Sequence, residues 1–353
     1  MRCLRRLAAP APPSPPPDRS GGLRTRNLSR ILQHKRGRRK GRTAARTSTP
    51  LTSAPTRRFG ARQATQWRIT VLIGIAGLGR MGRPMATHLA QAGHTVLGHD
   101  PGLCQAPEGV ELVRSTAELA KASLTISMLP DGATTGDLVL NGLTDAAPDH
   151  LHVVMGTVGP ELVRELADIA TVHVLDAPVS GSVSMAETAT LTTMVGGSPE
   201  QFERVRPLLA AMTAAQFHCG PVGAGSAAKL AVNAVLAALS QGVAEGLLIA
   251  EAGDLNLRTF YTVLRHSAAG APYVGYKEEA FLSPETAGVA APVSLIRKDL
   301  GLALALARTR RLSLPASEAT FAVLDYATDN GLGQQDMAQV LTALRLRNGS
   351  RGA

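Results

Sequence analysis

A strand that runs into Gly-x-Gly-x-x-Gly and then into a helix leaves a chain few folds to choose from. Residues 69–100 read ITVLIGIAGLGRMGRPMATHLAQAGHTVLGHD. Ile69 to Ala76 is an apolar run rich in β-branched residues, as a buried parallel strand requires. Gly77, Gly79 and Gly82 then allow a tight bend, a close approach of backbone to a pyrophosphate, and close packing of the next helix on the strand. Leu78, Arg80 and Met81 fill the rest of that turn, and Pro84 falls in the helix's first turn, where a missing N–H costs little. His94 to His99 is a second strand, and Asp100 closes it 18 residues after Gly82. A carboxylate there accepts the ribose hydroxyls of an adenosine and repels a 2′-phosphate, so the stretch predicts a dinucleotide site for NAD, with NADP as the alternative.

Beyond it, strand and helix patterns alternate. Strands are expected over Leu124–Leu129, Leu151–Met155, Val172–Leu175, Leu191–Val195 and Gln216–Cys219, with helices opened by Ser115 and Glu118, by Pro160 and by Ser198-Pro199. This alternation predicts a parallel, doubly wound sheet, and ligands in such sheets lie beyond the carboxyl ends of the strands. Leu129-Pro130, Thr157 and Ser180-Gly181 stand at such ends. After Gly220 strands stop. Gly223-Ala-Gly225 introduces a long helix over roughly Ser226–Ala252, mostly apolar but carrying Asn233, Gln241 and Glu245, and so read as a buried interdomain helix and not a membrane span. Helices follow near Asn256–Ser267, Pro292–Thr309, Ala316–Asn330 and Gln335–Leu346. The expected organisation is a basic arm (1–68), a Rossmann domain (69–222), an all-α domain (223–346) and a short tail (347–353).

Charge belongs mostly to the arm. Residues 1–68 hold 18 Lys and Arg against Asp18 alone, whereas the rest holds 19 against 26 acids. The folded part is mildly acidic, which gives no electrostatic case for nucleic-acid binding there. The arm, with PAPPSPPP and HKRGRRKGR, is expected to be disordered. It fits a transit peptide, a nucleic-acid-binding tail or an over-extended start in a GC-rich genome. The expected location is cytoplasmic, or the mitochondrial matrix if the arm is a transit segment. Three scattered cysteines suit a reducing compartment, with Cys104 and Cys219 read as packing thiols. His88, His94, His99, His150 and His152 form no convincing ligand set, so no metal is expected.

Lys229 and Asn233 lie four residues apart on the long helix and share a face among Ala227, Ala228, Leu230, Ala231 and Val232. On spacing alone they fit either a snorkelling lysine with a satisfied asparagine or a catalytic pair.

Five blocks then resemble the β-hydroxyacid dehydrogenase family, the 3-hydroxyisobutyrate dehydrogenase group: GLGRMGRPMATHLAQAGH (77–94), SMLP (127–130), DAPVSGSVSMAETATLTTMVGG (176–197), GPVGAGSAAKLAVN (220–233) and KDLGLA (298–303), in the family's order. The resemblance implies a site between two domains and reversible oxidation of a small 3-hydroxy acid to a semialdehyde or keto acid by NAD(P), in a homodimer or homotetramer. It implies Lys229 as acid and base, with its pKa lowered toward neutrality, and Asn233 beside the substrate oxygen. Ser180 and Gly181 match the substrate-carboxylate positions; Leu129, Pro130, Thr134 and Thr157 match the nicotinamide lining; Lys298 and Asp299 match a late Lys-Asp that reaches back to cofactor and site. Ser182 replaces a usual glycine and is expected to narrow the carboxylate pocket or add a donor. Glycines are also absent from Met185 to Leu191, and Gly156 replaces a usual serine, which puts the substrate in question more than the reaction. An imine reductase is the second enzyme class, opposed by Lys229. A non-catalytic scaffold on the same fold is the third reading.

Overall fold

A computed structural model describes residues 70–349; the arm over 1–68 and the last residues of the tail lie outside the described residues. β1 (Leu72–Ala76), α1 (Gly82–Gln91), β2 (Thr95–His99), β3 (Val110–Leu112), β4 (Leu124–Ser127), α2 (Gly132–Asp137), β5 (Leu151–Val154), α3 (Pro160–Ile169) and β6 (His173–Asp176) come first. These strands pair in parallel in the order β3-β2-β1-β4-β5-β6. The winding reverses between β1 and β4, so the crevice expected of such a sheet opens beyond Ala76 and Ser127.

The parallel expectation gives way after Asp176. β7 (Val179–Ser180) and β6 both run antiparallel to β8 (Leu191–Gly196). The chain doubles back through α4 (Val183–Glu187) with no crossover long enough to restore direction. α5 (Pro199–Met212), opened by a Ser198–Gln201 capping box, then returns the chain to β9 (Thr213–Gly220), parallel to β8. Ile73, Ile75, Leu89, Ile126, Val153, Leu175 and Val195 form the sheet's core with no more than 2% exposure each.

The helical domain comprises α6 (Ala224–Ala252), α7 (Leu257–His266), α8 (Pro272–Tyr276), α9 (Glu278–Leu282), α10 (Val293–Thr309), α11 (Pro315–Ala327) and α12 (Val340–Arg347). The short α8 and α9 add to the five helices expected there. α6 is by length and composition alone apolar enough to cross a bilayer. Here one face, with Leu230, Ala237, Ala244 and Leu247, is buried in a core with Ile296, Leu300, Val323 and Leu341. Truncating a leucine of this core costs about 2–5 kcal/mol. Val232, Val235 and Ile249 lie on exposed ground of the same helix. Cys104 and Cys219, expected as packing thiols, are exposed instead.

Two buried polar groups organise the interior. Between β4 and β5, His150 Nδ1 meets the Ala122 carbonyl, Thr125 Oγ1 meets both His150 Nε2 (2.9 Å) and His152 Nδ1 (2.7 Å), and Ser127 Oγ meets His152 Nε2 (3.0 Å). A carbonyl only accepts, so His150 Nδ1 carries its proton; in neutral rings Thr125 then donates to His150, accepts from His152, and Ser127 donates to His152. Burial holds His152 down to about 3, with His150 opposing its charge as well. In the helical domain Lys277 Nζ bonds both Asp336 oxygens (2.6 and 2.7 Å), and Asp336 also accepts from Ala290, Ala291 and Ala338 N–H groups. This fixes the segment leading into α10.

Candidate active site

The glycine turn is built as its spacing requires. Gly77 has φ +90°, and a Cβ there would stand 2.4 Å from the Met128 carbonyl; one on Gly82 would stand 1.9 Å from the Gly77 carbonyl. Gly79 faces open space on its Cβ side. Met81, at the N-cap of α1, makes no side-chain cap, and the first turn holds no acidic residue. A helix start left free of its own anion, behind a glycine that faces open space, fits a pyrophosphate.

Asp100 follows β2 and faces this turn. Its Oδ2 accepts from Leu78 N (2.8 Å) and its Oδ1 from Gly102 N (2.9 Å). Each oxygen keeps a lone pair for a ribose hydroxyl. The exposed Arg80 guanidinium donates to the Val289 carbonyl, so the turn is linked to the segment that Asp336 fixes.

Leu129 and Pro130 leave β4 beside the turn. Asp131 caps α2 by accepting from Thr134 N (2.8 Å) and also takes the Thr134 hydroxyl (2.8 Å). A Cβ on Gly156 would stand 2.4 Å from the Leu129 carbonyl, so the glycine at this position allows the two loops to touch.

The helical domain reaches in through α10. Lys298 Nζ donates to the Thr157 carbonyl (2.7 Å) and the Pro130 carbonyl (3.1 Å), and lies 3.1 Å from Asp299 Oδ1. Asp299 is buried, and its Oδ2 accepts from Asn233 Nδ2 (2.6 Å). Lys229, one turn before Asn233, is half-buried and makes no hydrogen bond among the described residues. Burial pulls its ammonium below the ordinary lysine range; Asp299 resists this, and Lys298 adds to it. Thus Pro130, Thr157, Lys229, Asn233, Lys298 and Asp299, scattered in sequence, meet at one junction.

Ser180 pairs with Thr192 on β8, and Gly181 follows it in extended positive-φ backbone (φ +143°). Ser182, expected to narrow the carboxylate pocket or add a donor, follows directly after Gly181. It is the N-cap of α4, accepting from Met185 N (3.3 Å) and sharing a hydrogen bond with the Ser184 hydroxyl (2.7 Å).

Asp176 was not anticipated. It is fully buried at the end of β6 and accepts from Gly223 N (2.7 Å) and Ser226 N, the first turn of α6. Burial raises its carboxyl pKa, and these hydrogen bonds oppose the rise. The one signal in the sequence is negative: α6 starts at Gly223 with no capping side chain of its own.

Residues 72–220 match the family described as the NAD binding domain of 6-phosphogluconate dehydrogenase, and residues 223–344 match that described as the NAD-binding domain of NADP-dependent 3-hydroxyisobutyrate dehydrogenase. A probable 3-hydroxyisobutyrate dehydrogenase of Mycobacterium tuberculosis is 35% identical over 291 residues, covering 78% of this chain and 98% of that protein. The chain belongs to the β-hydroxyacid dehydrogenase family. Another relative, the NAD-dependent L-serine dehydrogenase of Pseudomonas aeruginosa, is 34% identical and covers 76% of this chain and 96% of its own. The solved structure of Mycobacterium tuberculosis 3-hydroxyisobutyrate dehydrogenase with L-serine superposes with a TM-score of 0.70 at 31% identity, covering 78% of this chain and all of that one. As a member of this β-hydroxyacid dehydrogenase family the chain is an NAD(P)-dependent 3-hydroxyacid dehydrogenase.

Proposed function

We propose that the protein interconverts a small 2-substituted 3-hydroxypropanoate and its semialdehyde, with Lys229 as the acid and base. The observation that carries this is the Lys229 ammonium: half-buried, without a hydrogen-bond partner among the described residues, and held below its ordinary range at the junction of the two domains. Such an amine exchanges its proton closer to neutral pH than a solvated one. NAD(P) bound along the glycine turn supplies hydride transfer. In oxidation neutral Lys229 takes the substrate's hydroxyl proton as the C–H hydride departs; in reduction the ammonium returns it to the carbonyl oxygen. Asn233, tied to Asp299, orients that oxygen.

Ser180 and Gly181 take the substrate carboxylate. Leu129, Pro130, Thr134 and Thr157 line the nicotinamide half, and Lys298 holds the Pro130 and Thr157 carbonyls in place. Asp100 favours NAD over NADP, because a carboxylate repels a 2′-phosphate. The substrate class is supported by the relatives: 3-hydroxyisobutyrate and L-serine, in their names, share a hydroxymethyl group next to the carbon that bears the carboxylate. The exposed Val232, Val235 and Ile249 on α6 support a homo-oligomer, and the proposed location is cytoplasmic.

The test is a panel of 2-hydroxymethyl acids with NAD and small semialdehydes with NADH, each also with the phosphorylated cofactor, followed by NAD(P)H absorbance. Turnover of at least one pair in both directions, faster with NAD(H), is expected. Absence of turnover across the panel overturns the reading.

A further inference from the structure

We propose that Asp176 is a positioning residue for proton transfer: its carboxylate fixes the first turn of α6 on the end of the sheet and thereby sets where Lys229 stands relative to Ser180-Gly181. This rests on the reading of Lys229 given above. α6 is 29 residues long and has no side-chain cap of its own. Two N–H groups of its start, Gly223 and Ser226, go instead to the two oxygens of one buried carboxylate from β6. A charge-assisted pair of this kind fixes both distance and direction.

The joint has no slack. A Cβ on Gly225 would stand 2.2 Å from the Met194 carbonyl, so the helix's first turn rests directly on β8. Asp176 itself is held by its neighbours: Ala177 N donates to the Val154 carbonyl (2.8 Å), and the Thr193 hydroxyl donates to the Ala177 carbonyl (2.9 Å). From this fixed point the chain runs two ways. Four residues onward is Ser180, paired on β8. Three residues beyond Ser226 is Lys229, about 4.5 Å further along the helix axis. One side chain is therefore the shared origin of the substrate-carboxylate segment and of the amine. A displacement of about 1 Å between such groups can cost about a hundredfold in rate.

Asp176→Asn tests this, because a carboxamide offers one oxygen where two N–H donors wait. The full-length chain and the variants Asp176→Asn and Asp176→Ser are compared for NADH affinity, for kcat and KM with a semialdehyde across pH, and for thermal unfolding. In parallel, the pH dependence of Lys229 carbamylation by cyanate is read by peptide mass spectrometry without substrate. The expected result is a fall in kcat of about 10–100-fold, NADH affinity within about twofold, and a Lys229 midpoint that moves upward as the amine gains water. The direction decides: loss of a negative charge alone would move the midpoint down. Unchanged kcat, an unmoved or lowered midpoint, or failure of both variants to fold makes Asp176 structural only and overturns the proposal. A wild-type chain that turns over no semialdehyde overturns the reading of function instead, and the cyanate titration still reports on Asp176.

Discussion

Asn233 on α6 donates to Asp299 on α10 at 2.6 Å, and the other oxygen of that carboxylate lies 3.1 Å from Lys298. One buried acid thus faces Asn233 and Lys298 and opposes the lowering of the Lys229 pKa, while Lys298 adds to it. The two charges act in opposite senses, so their removal should split. Asp299→Asn takes away what raises the Lys229 pKa and should move the alkaline limb of the kcat profile for reduction to lower pH. Lys298→Met takes away a cation that lowers it and should move the limb to higher pH. Profiles that shift the same way in both variants would contradict this arrangement.

Lys229→Ala should lower kcat by about 10²–10⁴ while NADH titration remains near wild type, as expected when a group acts in proton transfer and not in cofactor binding. Near-full turnover with a good semialdehyde would remove Lys229 from the chemistry.

Asp100 holds the Leu78 N–H and, in the proposed reading, also selects the cofactor, and substitution can separate the two. Asp100→Asn keeps an oxygen for Leu78 N but loses the charge; NADH affinity should fall and NADPH affinity rise, changing their ratio by about tenfold or more, the scale of one charge-assisted bond. Asp100→Ala also releases the Leu78 N–H and should weaken both cofactors. Fluorescence titration with each measures it.

Much of this site was readable in advance because its signals are local. The glycine turn, Asp100 and the Lys229–Asn233 face each follow from spacings of a few residues, and the structure places them at a crevice and a helix face as those spacings imply. What was not readable is non-local. β3 is three residues long, too short for a periodic pattern, and exists because Val96 to Gly98 offer it an edge. The direction of β8 depends on its pairing with β6 and β7, which no repeat within β8 encodes. Ser182 also caps α4, a helix of five residues that is too short to show a period of its own in the sequence. Asp176 serves a helix that begins 47 residues later, and only the lack of a local cap hints at it.

Acid should loosen the sheet through His152. Its pKa is about 3 when folded, against 6.5 for an ordinary solvated imidazole, so below pH 6.5 the unfolded chain binds a proton that the folded one refuses. Stability from this residue is therefore intact above pH 6.5 and is lost progressively down to about pH 3, on the order of 5 kcal/mol in full. His152→Gln should start less stable at neutral pH, since Thr125 and Ser127 lose their partner, and show a shallower decline in urea unfolding between those limits. Equal slopes would assign the acid sensitivity elsewhere.

A single unbroken rod, α6, joins sheet to bundle, and Asp176 pins it at one end. At about 1.5 Å per residue the rod is roughly 43 Å long, and the backbone of Lys229 lies only about 8 Å from the pin. A lever moves least beside its fulcrum. A swing of the bundle by about 10° would sweep the far tip through about 7 Å but the backbone of Lys229 through little more than about 1 Å. Any swing of the bundle is therefore smallest beside Asp176 and largest at the far end of the rod.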